Sequence, residues 1–284
     1  MRKKLALALT GVATLFALTA CGGGAATPSA DLNATLDPAN PTIVKVGASP
    51  VPHSQILQYI DENLAKKAGI DLDITEIDDY QTPNLALSDG SIDANFFQHV
   101  PFFDDQVKTK GYKLEHGAGI LLEPLTAFSK KFADAASVTD GALVVLMNDP
   151  SNQIRGLRVL ESAGLISGIV DGDSVLTVES DEAKNPKHLK FQEVNAEQVP
   201  KFYQEDSTVG IAVVNGNYIV QAKLNKDEVL AVEPTKDNPN ANILAWRAGE
   251  KTAAVAKLDE LLHSDEVRTY IKTTWPEGDV IPAF

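Results

Sequence analysis

The residues with the clearest chemical capacity lie in Asn148-Asp149-Pro150-Ser151-Asn152-Gln153-Ile154-Arg155-Gly156, a polar turn directly after the apolar run Ala142-Leu143-Val144-Val145-Leu146-Met147. Apolar residues at Ile154, Leu157, Leu160 and Ala163 keep helical spacing until Gly164, so a buried strand passes through the turn into a helix. Unpaired N–H groups at a helix start favour an anion, and Arg155, about one turn in, can clamp a carboxylate through two parallel hydrogen bonds. The same residues also suit a plain capped turn with Arg155 as a solvated charge. What the turn means therefore depends on what the fold brings to it.

Two other apolar runs end in polar or aromatic residues. Residues 91–97 lead into Gln98-His99, and residues 210–214 into Asn215-Gly216-Asn217-Tyr218. In open α/β sheets the carboxyl ends of the strands border the ligand crevice, so three such ends define a shared cleft. Its candidate residues are Tyr80, Phe97 and His99 from the first half of the chain, with Asn152, Arg155 and Asn215 from the second. Arg155 suits a carboxylate, and the amide oxygens of Asn152 and Asn215 can accept from an ammonium group; together they describe an amino acid. Phe97 and Tyr80 would line a side-chain pocket in which a thioether gains about 0.3–1.5 kcal/mol per aromatic contact. Strand alternation sends only one of Phe96 and Phe97 to the cleft, and Phe96 is read as core.

The elements that position these residues follow an alternating pattern. A strand over 42–46 precedes a helix from Ser54 to Gly69, then a strand over 70–77, a short helix over 84–88 and the strand 91–97. A helix over 102–110, strand-like pieces in 112–129 interrupted by Pro124, and a composition change after Lys130-Lys131 indicate a crossover into a second lobe. Residues 171–188 read as a loose stretch. They are followed by strands at 189–194, 210–214, 229–232 and 243–246, and by helices at 196–205, 253–262 and 265–273. The pattern predicts parallel sheets with crossover helices, with lobe I over 42–131 plus 239–284 and lobe II over 132–238.

At the N-terminus, Arg2-Lys3-Lys4 and an apolar run from Leu5 to Leu18 form a signal segment over residues 1–20, ending in Leu18-Thr19-Ala20-Cys21. Cys21, the single cysteine, stands where the lipobox of bacterial lipoproteins places its acylated residue. Two acyl chains would anchor the protein to the extracytoplasmic face of the cell membrane. Residues 22–41 are small and polar and read as a tether. Removing residues 1–20 takes three cations from a chain of net charge −14, leaving −17. Such a balance repels phosphate backbones, so nucleic acid is not expected as a partner. There is no P-loop, nucleophile elbow, dinucleotide fingerprint or zinc-binding histidine pair, and the five histidines are scattered. No catalysis, cofactor or metal is expected, and the protein is read as a monomer.

Four collinear segments carry a resemblance. Asp79-Tyr80-Gln81-Thr82-Pro83-Asn84-Leu85-Ala86-Leu87, Asp93-Ala94-Asn95-Phe96-Phe97-Gln98-His99, Asn148 to Arg155, and Ala212-Val213-Val214-Asn215-Gly216-Asn217-Tyr218 resemble the successive motifs of the NlpA/MetQ family, the lipoprotein substrate-binding proteins of methionine ABC importers. The similarity runs from about Lys45 to Phe284. It implies a type II periplasmic-binding-protein fold of two α/β lobes joined by two crossovers, with the ligand enclosed between them. It also implies methionine contacts at Tyr80, Phe97, His99, Asn152, Arg155, Asn215 and Asn242, the last not singled out by composition or spacing. The implied partners are L-methionine or a related amino acid, an ABC permease with its ATPase, and the bilayer through acylated Cys21. Ile154 and Ser151 depart from the family pattern, His53 matches one branch of it, and Glu123 is not assigned a direction. D-methionine, a methionine-containing dipeptide, another small apolar amino acid, or a non-transport role as a surface lipoprotein remain open at this level.

Overall fold

In the first half of the chain, short β-rich runs alternate with helices that glycines close. Strand β1 (Thr42–Ala48) is followed by α1 (Gln55–Ile60), whose path continues helically to Ala68 before Gly69 adopts φ +78°. Then come β2 (Ile70–Glu76), α2 (Thr82–Asp89), β3 (Ala94–His99), α3 (Val100–Lys110) and β4 (Leu114–Leu122). Glycines at 90 and 111, with φ +84° and +74°, end α2 and α3, as a residue without Cβ does most readily. The computed structural model describes residues 31–284, so the expected signal segment and Cys21 lie outside the described residues.

The chain continues through β5 (Thr126–Phe128), β6 (Leu143–Met147), α4 (Pro150–Ser162), α5 (Val175–Ser180), β7 (Lys190–Val194), α6 (Val199–Glu205), β8 (Val209–Val214), α7 (Gly216–Ala222) and β9 (Val229–Val232). It closes with β10 (Asn242–Arg247), α8 (Ala253–Leu262), α9 (Asp265–Thr274) and β11 (Ile281–Pro282). Two sheets result, a six-stranded one in the order β11-β4-β10-β3-β1-β2 and a five-stranded one in the order β7-β6-β8-β5-β9. In the first, β1 runs parallel to β2 and β3 while β10 is antiparallel to β3 and β4. In the second, β6 is parallel to β7 and β8, and β5 is antiparallel to β8 and β9. This is the two-lobed α/β architecture expected of a type II periplasmic-binding-protein fold.

The chain changes sheet twice. Composition suggested a first crossover after Lys131, but Thr126–Phe128 already pairs with β8 and β9, so the change falls at Glu123-Pro124-Leu125. Pro124 cannot donate to a ladder, whereas Lys130 and Lys131 stay in the second lobe, donating to the carbonyls of Tyr203 and Thr208. The return lies between β9 and β10. The two crossovers are bonded to each other: the Glu233 N–H donates to the Leu125 carbonyl at 2.8 Å, and the Leu125 N–H to Glu233 Oε2 at 3.1 Å.

Each sheet has its own apolar core. Val44, Val46, Phe96, Leu121, Leu244 and Leu258 are among the buried residues of the first, and Val144, Leu146, Leu157, Ile211 and Val213 among those of the second. The second core continues into Tyr80, Phe97 and Phe102, which are carried by the first lobe. The stretch 171–188 is less loose than its sequence suggests, because Ser174 and Thr177 form a reciprocal capping box that starts α5. Six residues are too few for a legible helical period.

Leu146 is fully buried near the end of β6. Leu146→Ala should lower stability by about 2–5 kcal/mol, read as a shifted urea midpoint at constant slope.

Candidate functional site

Parallel strands deliver their carboxyl ends to one place. β3 ends at His99, β6 at Met147 before Asn148, and β8 at Val214 before Asn215. Antiparallel β10 begins there, Asn242 standing opposite His99 in the register. A small cavity of about 20 Å³ lies among these ends, lined by all seven residues expected from the sequence: Tyr80, Phe97, His99, Asn152, Arg155, Asn215 and Asn242. That is room for about one water molecule, so these residues are nearly in contact across the cleft and a ligand needs the lobes to part. Gln98, Phe102, Glu123, Gly216 and Asn217 complete the lining.

Helix caps orient the polar groups. Asp149 caps α4 by accepting from the Asn152 N–H at 2.8 Å, and its Oδ1 also accepts from Asn152 Nδ2 at 3.0 Å. The Asn152 amide is thereby turned so that its Oδ1 faces the cleft. There it accepts from Asn215 Nδ2 at 2.9 Å and lies 3.1 Å from His99 Nε2. His99 caps α3 through Nδ1, which accepts from the Phe102 N–H at 3.2 Å, so the ring proton is assigned to Nε2, which donates to Asn152 across the cleft. Burial and the nearby Arg155 push His99 down to about 3, in keeping with a neutral ring. Burial raises Asp149 to about 6 against the opposing hydrogen bonds from Asn152.

Arg155 is 7% exposed, and most of its guanidinium is engaged. Nε and Nη2 donate to Glu233 Oε1 and Oε2 at 2.7 and 2.5 Å, and Nη2 also donates to the Glu123 carbonyl at 2.8 Å. Nη1 has no protein acceptor among the described residues. The cation is thus held by both crossovers and retains one donor edge.

Three buried atoms of the cavity residues lack partners: Glu123 Oε1 and Asn215 Oδ1, both acceptors, and Asn217 Nδ2, a donor. Asn152 differs from its sequence reading, because its oxygen is already occupied by Asn215 and His99. Of the two amide oxygens expected to receive a cation, Asn215 Oδ1 is the available one. Free acceptors together with the spare guanidinium donors of Arg155, which lines both this cavity and the open groove along α4, complement a zwitterion. Tyr80, Phe97 and Phe102 form the aromatic wall, with ring centroids 5.9–6.0 Å apart, and Tyr80 OH donates to Asn217 Oδ1 at 2.5 Å from the opposite lobe. Tyr218 OH donates to the Asp78 carbonyl, a further bond across the cleft.

Other residues fall outside the cavity. Phe96 is fully buried in the first core, as alternation requires. His53 sits behind Asn242, its Nε2 3.0 Å from Asn242 Nδ2 and its ring edge-on to Phe96, and burial lowers it to about 3. Ile154 and Ser151 line an open groove along α4 and residues 233–240, so Ile154 does not narrow the enclosed site. Sequence reasoning did not assign Glu123, yet the strand-end rule applies to it: β4 runs parallel to β3 and ends one residue earlier. Pro124 obscured that strand end. Among the described residues no cluster of His, Cys, Asp and Glu could hold a metal ion.

Comparison with known proteins gives the same outline. The family model described as NlpA lipoprotein matches residues 44–284. The methionine-binding lipoprotein MetQ of Bacillus subtilis (strain 168) is 39% identical over 243 residues, covering 84% of this chain and 87% of its own length. The D-methionine-binding lipoprotein MetQ of Escherichia coli (strain K12) is 36% identical over 234 residues, covering 81% and 85%. The solved structure of a nutrient-binding protein from Burkholderia cenocepacia bound to methionine superposes with a TM-score of 0.77 at 35% identity, spanning 85% of this chain and 100% of that one.

Glu233→Ala would leave Arg155 buried without its counter-ion and should cost about 3–5 kcal/mol in urea denaturation. Removing Asp171 from its exposed pair with Arg158 should leave the midpoint unchanged within error.

Proposed function

The chain belongs to the NlpA lipoprotein family, and on that premise we propose that it is a solute-binding protein of the extracytoplasmic face that captures methionine and delivers it to an ABC importer. The observation that supports this most directly is the pairing, in one aromatic-walled cavity, of a free guanidinium edge with unpartnered acceptors. The ligand's carboxylate accepts from Arg155 Nη1, and its ammonium donates to Asn215 Oδ1. Its thioether rests against Tyr80, Phe97 and Phe102, where sulfur–aromatic contact is favourable. His99 and Asn152 orient Asn215, and Asn242 closes the floor of the cavity. No bond is made or broken in the ligand, and ATP is hydrolysed by a partner protein.

Binding closes the lobes about the crossovers at 123–125 and 233–241, and the permease recognises the closed form. The bonds from Tyr80 to Asn217 and from Tyr218 to Asp78 hold that form together. No helix among the described residues is long and apolar enough to cross a membrane. We assign attachment to acylated Cys21, followed by a tether shorter than the expected 22–41, because Leu32 and Leu36 already pack against the first core and the Leu32 carbonyl accepts from the Ala254 N–H at 3.1 Å.

Native mass spectrometry of the full chain released from detergent should show a bound mass equal to methionine, and calorimetry after unfolding and refolding should show L-methionine rebinding. A different small mass would refute methionine while keeping the receptor; no ligand and no rebinding would refute both. Arg155→Lys keeps a counter-ion for Glu233 but loses the fork, and should weaken methionine at least about thirtyfold, or roughly 2 kcal/mol. Unchanged affinity would remove the carboxylate role from Arg155.

A further inference from the structure

Glu123 has a buried carboxyl whose surroundings are incomplete. It is 6% exposed and lines the cavity. Its Oε2 accepts from Asn242 Nδ2 at 2.6 Å and lies 3.4 Å from His53 Nε2, while Oε1 has no partner. The start of α7 is pressed against the same residue, since a Cβ on Gly216 would lie 2.5 Å from Glu123 Cβ. Water is thereby kept from one side. The side chain cannot recover its hydration from the protein, and its free oxygen belongs to the cavity.

We propose that Glu123 is a second acceptor, beside Asn215 Oδ1, for the ligand's ammonium group, and that it makes lobe closure conditional on that cation. A carboxylate is removed from water cheaply only against a positive charge or a proton. The titratable and charged groups facing it are Arg155 from α4, His53 from the segment before α1, Tyr80 from the turn before α2, and Glu233 beyond Arg155. Arg155 is already paired with Glu233, and His53 is held neutral by burial. When the lobes are closed, burial therefore pushes Glu123 up to about 8, against the opposing pull of Arg155 and Asn242. At neutral pH an empty cleft closes only by taking up a proton. A bound ammonium replaces that proton, and the carboxylate stays ionised from the open form to the closed one.

The sign of the linkage follows. A closed complex lacking a cation holds Glu123 protonated, whereas the open receptor has it ionised near the ordinary carboxylate value. Such a complex is favoured below that ordinary value and loses its advantage as pH rises through about 8. A complex with an ammonium ligand escapes this penalty. His99, driven to about 3, and Asp149, raised to about 6, titrate alike for either ligand and cancel in a comparison.

This inference rests on the methionine reading, and the test keeps the two apart. L-methionine and its 2-hydroxy analogue, which lacks the ammonium, are titrated into the full wild-type chain in detergent by calorimetry between pH 6 and 8. The ratio of their affinities should grow with pH by up to about tenfold per unit, the hydroxy acid alone taking up a proton on binding. Glu123→Gln keeps an oxygen acceptor for the ligand but loses the charge; it should cut the preference for methionine at least tenfold at pH 7.5 and flatten its pH dependence. A ratio independent of pH in the wild type would overturn the proposal whether or not the variant folds, as would an unchanged ratio in a folded variant. Failure of wild-type chain to bind methionine would instead overturn the ligand reading. The same comparison, made with the amino acid found by mass spectrometry and its hydroxy acid, would then decide the role of Glu123.

Discussion

A buried guanidinium must be neutralised where it stands, and the groups that do this for Arg155 belong to the two segments joining the lobes. Glu233 follows β9 and takes two of its donors; the Glu123 carbonyl follows β4 and takes a third bond. The same segments are bonded to one another between residues 125 and 233. The side chain assigned to the ligand's carboxylate is therefore anchored at the axis about which the lobes would move. An arginine held only by its own helix would lose aim with each change in lobe angle. Here the free Nη1 edge is fixed relative to the hinge.

The remaining polar groups are placed by helix ends. Asp149 and His99 each cap a helix and each set one side of the hydrogen-bonded chain that runs through Asn152 to Asn215. This doubling limits the cost of burying polar atoms, because Asp149 and His99 orient the site while accepting from orphan N–H groups of their own helices. Of nine buried side-chain atoms without a partner among the described residues, three line the cavity: Glu123 Oε1, Asn215 Oδ1 and Asn217 Nδ2. Unsatisfied groups are expected to be few in a folded protein, and these three share one cavity.

Charge order within that cavity agrees with the proposed ligand. Moving from Glu233 through Arg155, a ligand carboxylate and its ammonium to Glu123, the signs alternate. Each charge thus meets an opposite neighbour within a water-poor space, where such contacts count for more than at the surface. The aromatic wall of Tyr80, Phe97 and Phe102 adds an apolar surface that disfavours a charged side chain.

The sequence by itself determined the elements and most of the strand ends. Apolar runs such as Leu143–Met147 and Val209–Val214 are of strand length and rich in β-branched residues, and Asp149 with Pro150 can start a helix but hardly continue a strand. Phe96 and Phe97 were separable because adjacent residues on a strand point to opposite faces. Asn242 came only from the resemblance, since it starts an antiparallel strand, and no local pattern says that such a strand begins where others end. Sheet membership of Thr126–Phe128, the occupied oxygen of Asn152 and the inward carboxyl of Glu123 were decided by the tertiary structure alone. Each depends on partners far away in sequence: β8 and β9, Asn215 and His99, Asn242 and Gly216. Local propensity says which backbone shape a residue favours; which hydrogen-bonding atoms remain free is known only when every neighbour is in place.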